Sequence, residues 1–197
     1  QKRLEKEIGD EKERYRTALP VVSEAFLNQV ISKNSMTSEK IRSELHKYGI
    51  DFSRNSFTVC VTAPDERLKS EESSNTMKYL KRLVKWSMKR YTEAVTFSLE
   101  QDRTILISII NRENEEDSIK KSFELCNRMM QNRFGLTISS GVSGSSKQIN
   151  MLHDLYQKAS EALSVRFWAG PGTLAFYNHV SISDDLKLTL EENMLNK

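Results

Sequence analysis

The sequence holds no apolar run approaching the roughly 18 to 20 residues that cross a bilayer, and no leader pattern opens it. We therefore expect a cytoplasmic segment that makes no membrane contact. Cysteine is nearly absent, with two in 197 residues. Cys60 lies in an apolar run and Cys126 on the apolar side of a helical pattern, so both read as small buried hydrophobes in a reducing compartment rather than as a disulfide. Histidine is as sparse: His46, His153 and His179 stand far apart, outside any H-x-x-x-H or C-x-x-C spacing. That leaves zinc no ligand set, and each histidine reads as a surface or helix-end residue. A strong excess of one charge is missing too, because a net charge of +3 is too small to argue for nucleic acid by itself. These counts give no zinc site, and neither a metal nor a cofactor is expected.

What remains describes a water-soluble protein with charged outer helix faces, 38% hydrophobic and 29% charged. A chain of this length fits one domain and an appendage and can bury a core without staples. Residues 1–33 form a continuous helical pattern. Leu4, Ile8, Tyr15, Ala18 and Val22 follow the 4,3 alternation of a coiled-coil seam, interrupted by Glu11. Gly9 and Pro20 weaken it, and Pro20 kinks the helix or starts a new one. We expect residues 1–17 to dimerise as a connector, and Leu19, Val22, Phe26, Val30 and Ile31 to dock the next stretch on a globular body.

The body occupies residues 34–180. A helix capped by Thr37 or Ser38 carries Ile41, Leu45 and Tyr48 and stops at Gly49. Phe57 to Ala63 is a strand ended by Pro64, and the polar stretch from Arg67 to Asn75 reads as a mobile loop. Met77, Leu80, Val84, Met88 and Tyr91 then mark an amphipathic helix. Its outer side carries Lys78, Lys81, Arg82, Lys85, Lys89 and Arg90, with Tyr79 and Trp86 interleaved. The plain reading is a solvated face; phosphates or an acidic partner domain are what such charge admits. Ala94 to Leu99 and Thr104 to Ile110 form a hairpin. A helix through Ile119, Phe123, Cys126, Met130 and Phe134 follows, closed by Gly135. Leu136 to Val142 is a strand that ends in a Gly/Ser run, Leu152 to about Gly170 a helix, and Thr173 to Tyr177 a last short strand. Residues 181–197 are helical in composition and read as the start of a linker helix toward a missing DNA-binding domain. The order predicts an α+β fold with a ferredoxin-like βαββαβ core, an antiparallel sheet with its helices on one face.

Two segments narrow this further. Leu136-Thr137-Ile138-Ser139-Ser140-Gly141-Val142-Ser143 resembles the "ltiSiGva" strand of GGDEF domains. Leu155 to Leu163, followed by Gly170 and Phe176-Tyr177, resembles that family's "A-D-x-A-L…G…v-x-Y" ending. The detailed run Tyr156 to Phe167, with Ala18-Leu19-Pro20, Phe26-Leu27, Ile41 and Gly49-Ile50, is similar to the GGDEF-like region of YesN-like regulators of the AraC type. That resemblance implies a two-component response regulator. In it the domain dimerises through the N-terminal helix and relays a signal from an upstream receiver or sensor to a downstream helix-turn-helix domain. DNA would be met only through that missing domain.

Active GGDEF domains make cyclic di-GMP from two GTP molecules, and the resemblance implies where the required groups would stand. A Gly-Gly and an acidic pair belong in the hairpin turn, yet Leu99-Glu100-Gln101-Asp102-Arg103 contains no glycine. The strand-end metal Asp falls among Thr62-Ala63-Pro64-Asp65-Glu66-Arg67, where Asp65 and Glu66 follow a proline and read as loop residues. The Asp after the first Ala is Ser160, the Lys that neutralises phosphate is Phe167, and no R-x-x-D stands upstream of the turn. On this reading the chain is not an enzyme. The vestigial cleft, at Thr62, Ser98, Glu100 and Asp102, is left to sense a nucleotide or other small molecule as the alternative function.

Overall fold

The computed structural model describes residues 20–33, 35–52, 54, 56–66, 68, 70–111 and 116–179. The expected seam residues Leu4, Ile8, Tyr15 and Ala18 and the linker at 181–197 lie outside the described residues. Helix α1 is described over 20–32, and the remaining elements are α2 (Ser38–Lys47), β1 (Phe57–Pro64), α3 (Ser70–Tyr91), β2 (Ala94–Ser98), β3 (Leu106–Ile110), α4 (Glu116–Phe134), β4 (Ile138–Ser146), α5 (Leu152–Ser164), α6 (Arg166–Ala169) and β5 (Leu174–Phe176). Five strands form one sheet in the order β2-β3-β1-β4-β5.

The fold is α+β, as expected, but the sheet is mixed. β1 to β4 pair antiparallel, whereas β5 runs parallel to β4, with Ser140 opposite Leu174 and Val142 opposite Phe176. Parallel neighbours need a crossover, and α5 and α6 supply it. The two crossover helices of the βαββαβ core lie together on one face, as expected, and a second layer covers the other. α3 and α4 cover one side, while α1, α2 and α5 cover the other. The cause is in the strands: β1 and β3 are buried along their whole length, so both sides of the pleat must be covered. Phe57, Val59, Val61, Phe97, Ile107 and Ile109 point to α1, α2 and α5; Cys60, Leu106, Ile110, Ile138 and Val142 point to α3 and α4.

Three local expectations change as well. α3 begins at Ser70, so most of the expected loop between Arg67 and Asn75 is helix, a stretch that contains neither glycine nor proline to stop it. Pro64 closes β1 from inside the strand, opposite Ile138. β4 continues through the Gly/Ser run to Ser146, because β1 offers partners as far as Phe57. Gly141 is needed within it: a Cβ there would stand 2.1 Å from the backbone oxygen of Ala159, so the missing side chain is what lets α5 lie against the sheet. α2 is capped as its sequence suggests, Lys40 N–H donating to Thr37 Oγ1 at 3.4 Å. Cys60 and Cys126 are free and buried. Among the described residues no helix is long and apolar enough to cross a membrane.

Candidate functional site

β2 is an edge strand, and α1 lies beside its end. The contact is made by Asn28, a polar residue set among Leu27, Val30 and Ile31 and itself only 4% exposed. A buried carboxamide costs free energy unless both its ends are paired. Here Nδ2 donates to Ser98 O at 3.0 Å and Oδ1 accepts from Glu100 N–H at 2.9 Å. The side chain thus acts on the outer edge of the hairpin as a neighbouring peptide group would. Its second Nδ2 proton goes to Glu24 O, one turn earlier, at 2.9 Å.

Two further ties hold α1. Glu24 pairs with Lys81 of α3 at 2.6 Å and with Lys85 at 3.9 Å. His153, at the N-terminal end of α5 as expected of a helix-end residue, donates from Nδ1 to Ile31 O at 2.6 Å and so also tethers the two helices. Val22, from the expected seam, is 47% exposed, and Val21 70%.

The β2–β3 turn is shaped without glycine. Asp102 Oδ1 accepts from Thr104 N–H at 2.9 Å and from Thr104 Oγ1 at 2.6 Å, and its carbonyl accepts from Ile105 N–H at 2.9 Å. Such an Asp supplies the local turn that glycine would otherwise allow. Glu100 and Asp102 are exposed. Between the turn and α1 lies an open groove of about 430 Å³ lined by Glu24, Asn28, Lys81, Ser98, Glu100 and Arg103.

Thr62 does not join them. It is 3% exposed, shares a hydrogen bond with Ser140 Oγ at 2.7 Å, and faces α3 and α4 with Cys60. It lies in the same row as Ser98 across the sheet, with Leu106 between, but its side chain belongs to the core. At the end of β1, Asp65 is fully engaged by the protein. Its Oδ1 accepts from Ser139 Oγ, its Oδ2 from Gly172 N–H at 2.8 Å, and its own N–H donates to Thr137 O at 3.1 Å. Asp65 therefore pins the segment before β5 to the end of β1. Arg166 Nη1 adds a bond to Pro64 O at 3.2 Å, while Phe167 is 72% exposed. Ser160 donates to Tyr156 O at 2.9 Å within α5. Among the described residues no group of His, Cys, Asp and Glu is placed to hold a metal ion.

Sequence reasoning located the turn but missed Asn28 and Glu24. The only signal available was an Asn inside a stripe otherwise reserved for Leu, Val and Ile.

A family model described as the GGDEF-like domain matches residues 33–165. Solved structures that resemble the chain include the active GGEEF domain of a diguanylate cyclase from Vibrio cholerae, at 12% identity over 70% of this chain and 90% of that one, with a TM-score of 0.46. The coiled coil and GGDEF domain of DgcB from Caulobacter crescentus in complex with c-di-GMP resembles it at 16% identity over 88% of this chain and 98% of that one, TM-score 0.48. The diguanylate cyclase SiaD from Pseudomonas aeruginosa, in complex with its activator SiaC, does so at 14% identity over 89% and 72%, TM-score 0.45. No curated protein matches the chain. The expectation that the chain is not an enzyme is overturned: with residues 33–165 matching the GGDEF-like domain, the altered turn gives no ground for denying activity. With well over half its sequence matched, across the strands and helices that frame the β2–β3 turn, the chain belongs to the GGDEF-like domain family.

Proposed function

We propose that this chain is the signal-relay domain of a YesN-like, AraC-type response regulator, acting as a cytoplasmic homodimer. Its input comes from an upstream receiver or sensor, and its output goes to a downstream helix-turn-helix domain that alone meets DNA. Residues 1–33 carry the connector, with Leu4, Ile8, Tyr15, Ala18 and Val22 as its dimer seam, 34–180 the GGDEF-like body and 181–197 the start of the output linker. The observation that carries the reading is the pair of bonds from Asn28 to Ser98 and Glu100, because it couples the helix nearest the input to the turn that defines the family.

The mechanism follows from how α1 is held. Leu27, Val30 and Ile31 are at most 3% exposed in the core, so α1 does not shift without disturbing the sheet under it. A translation or roll that stretches the Asn28 bonds leaves the Ser98 carbonyl and the Glu100 N–H to partial solvation, at a combined cost of about 1–2 kcal/mol. Two arrangements of α1 on the edge of β2 are thereby distinguished by an energy large enough to shift a population.

The test is Asn28→Ala in the full-length regulator. The expected outcome is a transcriptional output that no longer follows the input signal in a protein that still folds and dimerises. An unchanged response would refute the coupling. Sedimentation equilibrium with and without residues 1–17 tests the seam, dimer loss on removal being expected. A second reading, ligand sensing, draws on the groove of about 430 Å³ beside Glu100. Calorimetry against GTP, GDP and cyclic di-GMP decides it, and incubation with GTP and magnesium ions measures turnover directly.

A further inference from the structure

The outer side of α3 carries a row of like charge that the domain itself meets only at Lys85, through Glu24 at 3.9 Å. Lys78, Arg82, Lys85 and Lys89 follow at i, i+4, i+7 and i+11, all exposed, along about 16 Å of helix. Like charges at this spacing oppose the helix that carries them. At Lys85 the pKa is lowered, first by burial and then by the Lys81 charge, while Glu24 opposes the shift and Lys89 adds to it. Among the described residues no carboxylate pairs with Lys78, Arg82 or Lys89. Trp86 borders the row with 51% of its surface exposed, and the Arg90 guanidinium lies 5.8 Å from its ring centroid. A large aromatic left half in water beside unpaired cations has the composition of an interface anchor.

We infer that this face is a docking surface for an acidic amphipathic protein helix, its carboxylates meeting the cation row and an apolar residue covering Trp86. Two observations favour that occupant. On the flank of the same row, Glu24 of α1 already bridges Lys81 and Lys85, one helix-borne carboxylate between two lysines a turn apart. Arg90 stacks over the indole, taking a ring face that a nucleic-acid base would need. A second copy of the chain is disfavoured, since two such rows repel. The inference stands apart from the relay reading, because it uses none of the contacts between α1 and the turn.

The test uses the whole chain with Trp168→Phe, so that Trp86 is the sole tryptophan, and a 16-residue peptide with Glu at i, i+4, i+7 and i+11 and Leu on the adjoining stripe. Titration should shift Trp86 emission to the blue, with affinity falling as salt rises. Arg82→Glu with Lys89→Glu, which leaves Lys81, Lys85 and α1 untouched, should weaken binding about tenfold or more with unchanged circular dichroism. Equal affinity for a scrambled peptide, no effect of the double reversal, or tighter binding of a single-stranded oligonucleotide than of the peptide would each overturn the inference.

Discussion

The two sides of the sheet are built from different chemistry. Toward α1, α2 and α5 the strands present mostly hydrocarbon, Phe57, Val59, Val61, Ala63, Phe97, Ile107 and Ile109, with Ser139 beside Ala63 at one end. Toward α3 and α4 they present Cys60, Thr62, Thr96, Ser108 and Ser140 among the aliphatics. These are paired inside the core, Thr62 with Ser140 at 2.7 Å, Thr96 with Ser108 at 2.8 Å, and Ser87 of α3 with Ser122 of α4 at 2.7 Å and Cys126 at 3.0 Å. The lesson concerns what each side is for. A dry, close-packed side transmits displacement because it has no slack, and it is the side on which α1 sits. The side with hydroxyl pairs holds its helices through directional bonds of modest net value, and outward it carries the cation row.

Substitutions that break this contrast are ranked by size. Ile107→Ala, at a fully buried position on the hydrocarbon side, should cost about 2–5 kcal/mol in chemical denaturation, the cavity adding to the lost transfer energy. Asn28→Ala comes next, at about 1–2 kcal/mol, because the partners it abandons reach solvent in part; faster amide exchange at Glu100 should accompany it. Ser87→Ala, on the hydroxyl side, should cost about 1 kcal/mol, since Ser122 and Cys126 lose a shared partner. A Ser87→Ala loss as large as that of Ile107→Ala would erase the contrast.

One effect is absent at neutral pH and appears only in the alkaline range. Burial pushes the Cys60 and Cys126 thiols from an ordinary value of 9.0 up to about 11, so the folded state favours the protonated thiol. A pKa raised on folding contributes stability that is complete below pH 9 and is lost as pH climbs through about 11. Replacing both cysteines by alanine should flatten the stability profile between those two values. An unchanged slope would show that neither thiol titrates late.

Much of the architecture was legible because apolar spacing is local. Met77, Leu80, Val84 and Met88 announce α3, and Phe57 to Val61 announce β1, without reference to anything distant. What escaped depended on partners far along the chain. The run from Ser143 to Ser146 is strand only because β1 pairs with it, and β5 is parallel only because α5 and α6 carry the chain across. Thr62 was placed in the cleft by its position in the strand. The pleat sends its side chain into the core instead, and one residue of register decides that. Asn28 had no visible role, since Ser98 and Glu100 stand some seventy positions away. The family, by contrast, was readable, because Gly141, Ala159 and Leu163 record one close contact between β4 and α5 in short strings.

The central claim is that α1 and the β2–β3 turn move together, and amide exchange at Glu100 tests it most directly in the Glu24→Lys variant. That substitution cuts α1 from Lys81 and Lys85 and leaves the turn and Asn28 in place. Exchange at Glu100 should rise about tenfold while the amides in the middle of α4 keep their protection. Glu100 exchanging at the wild-type rate with α1 loosened would contradict the coupling.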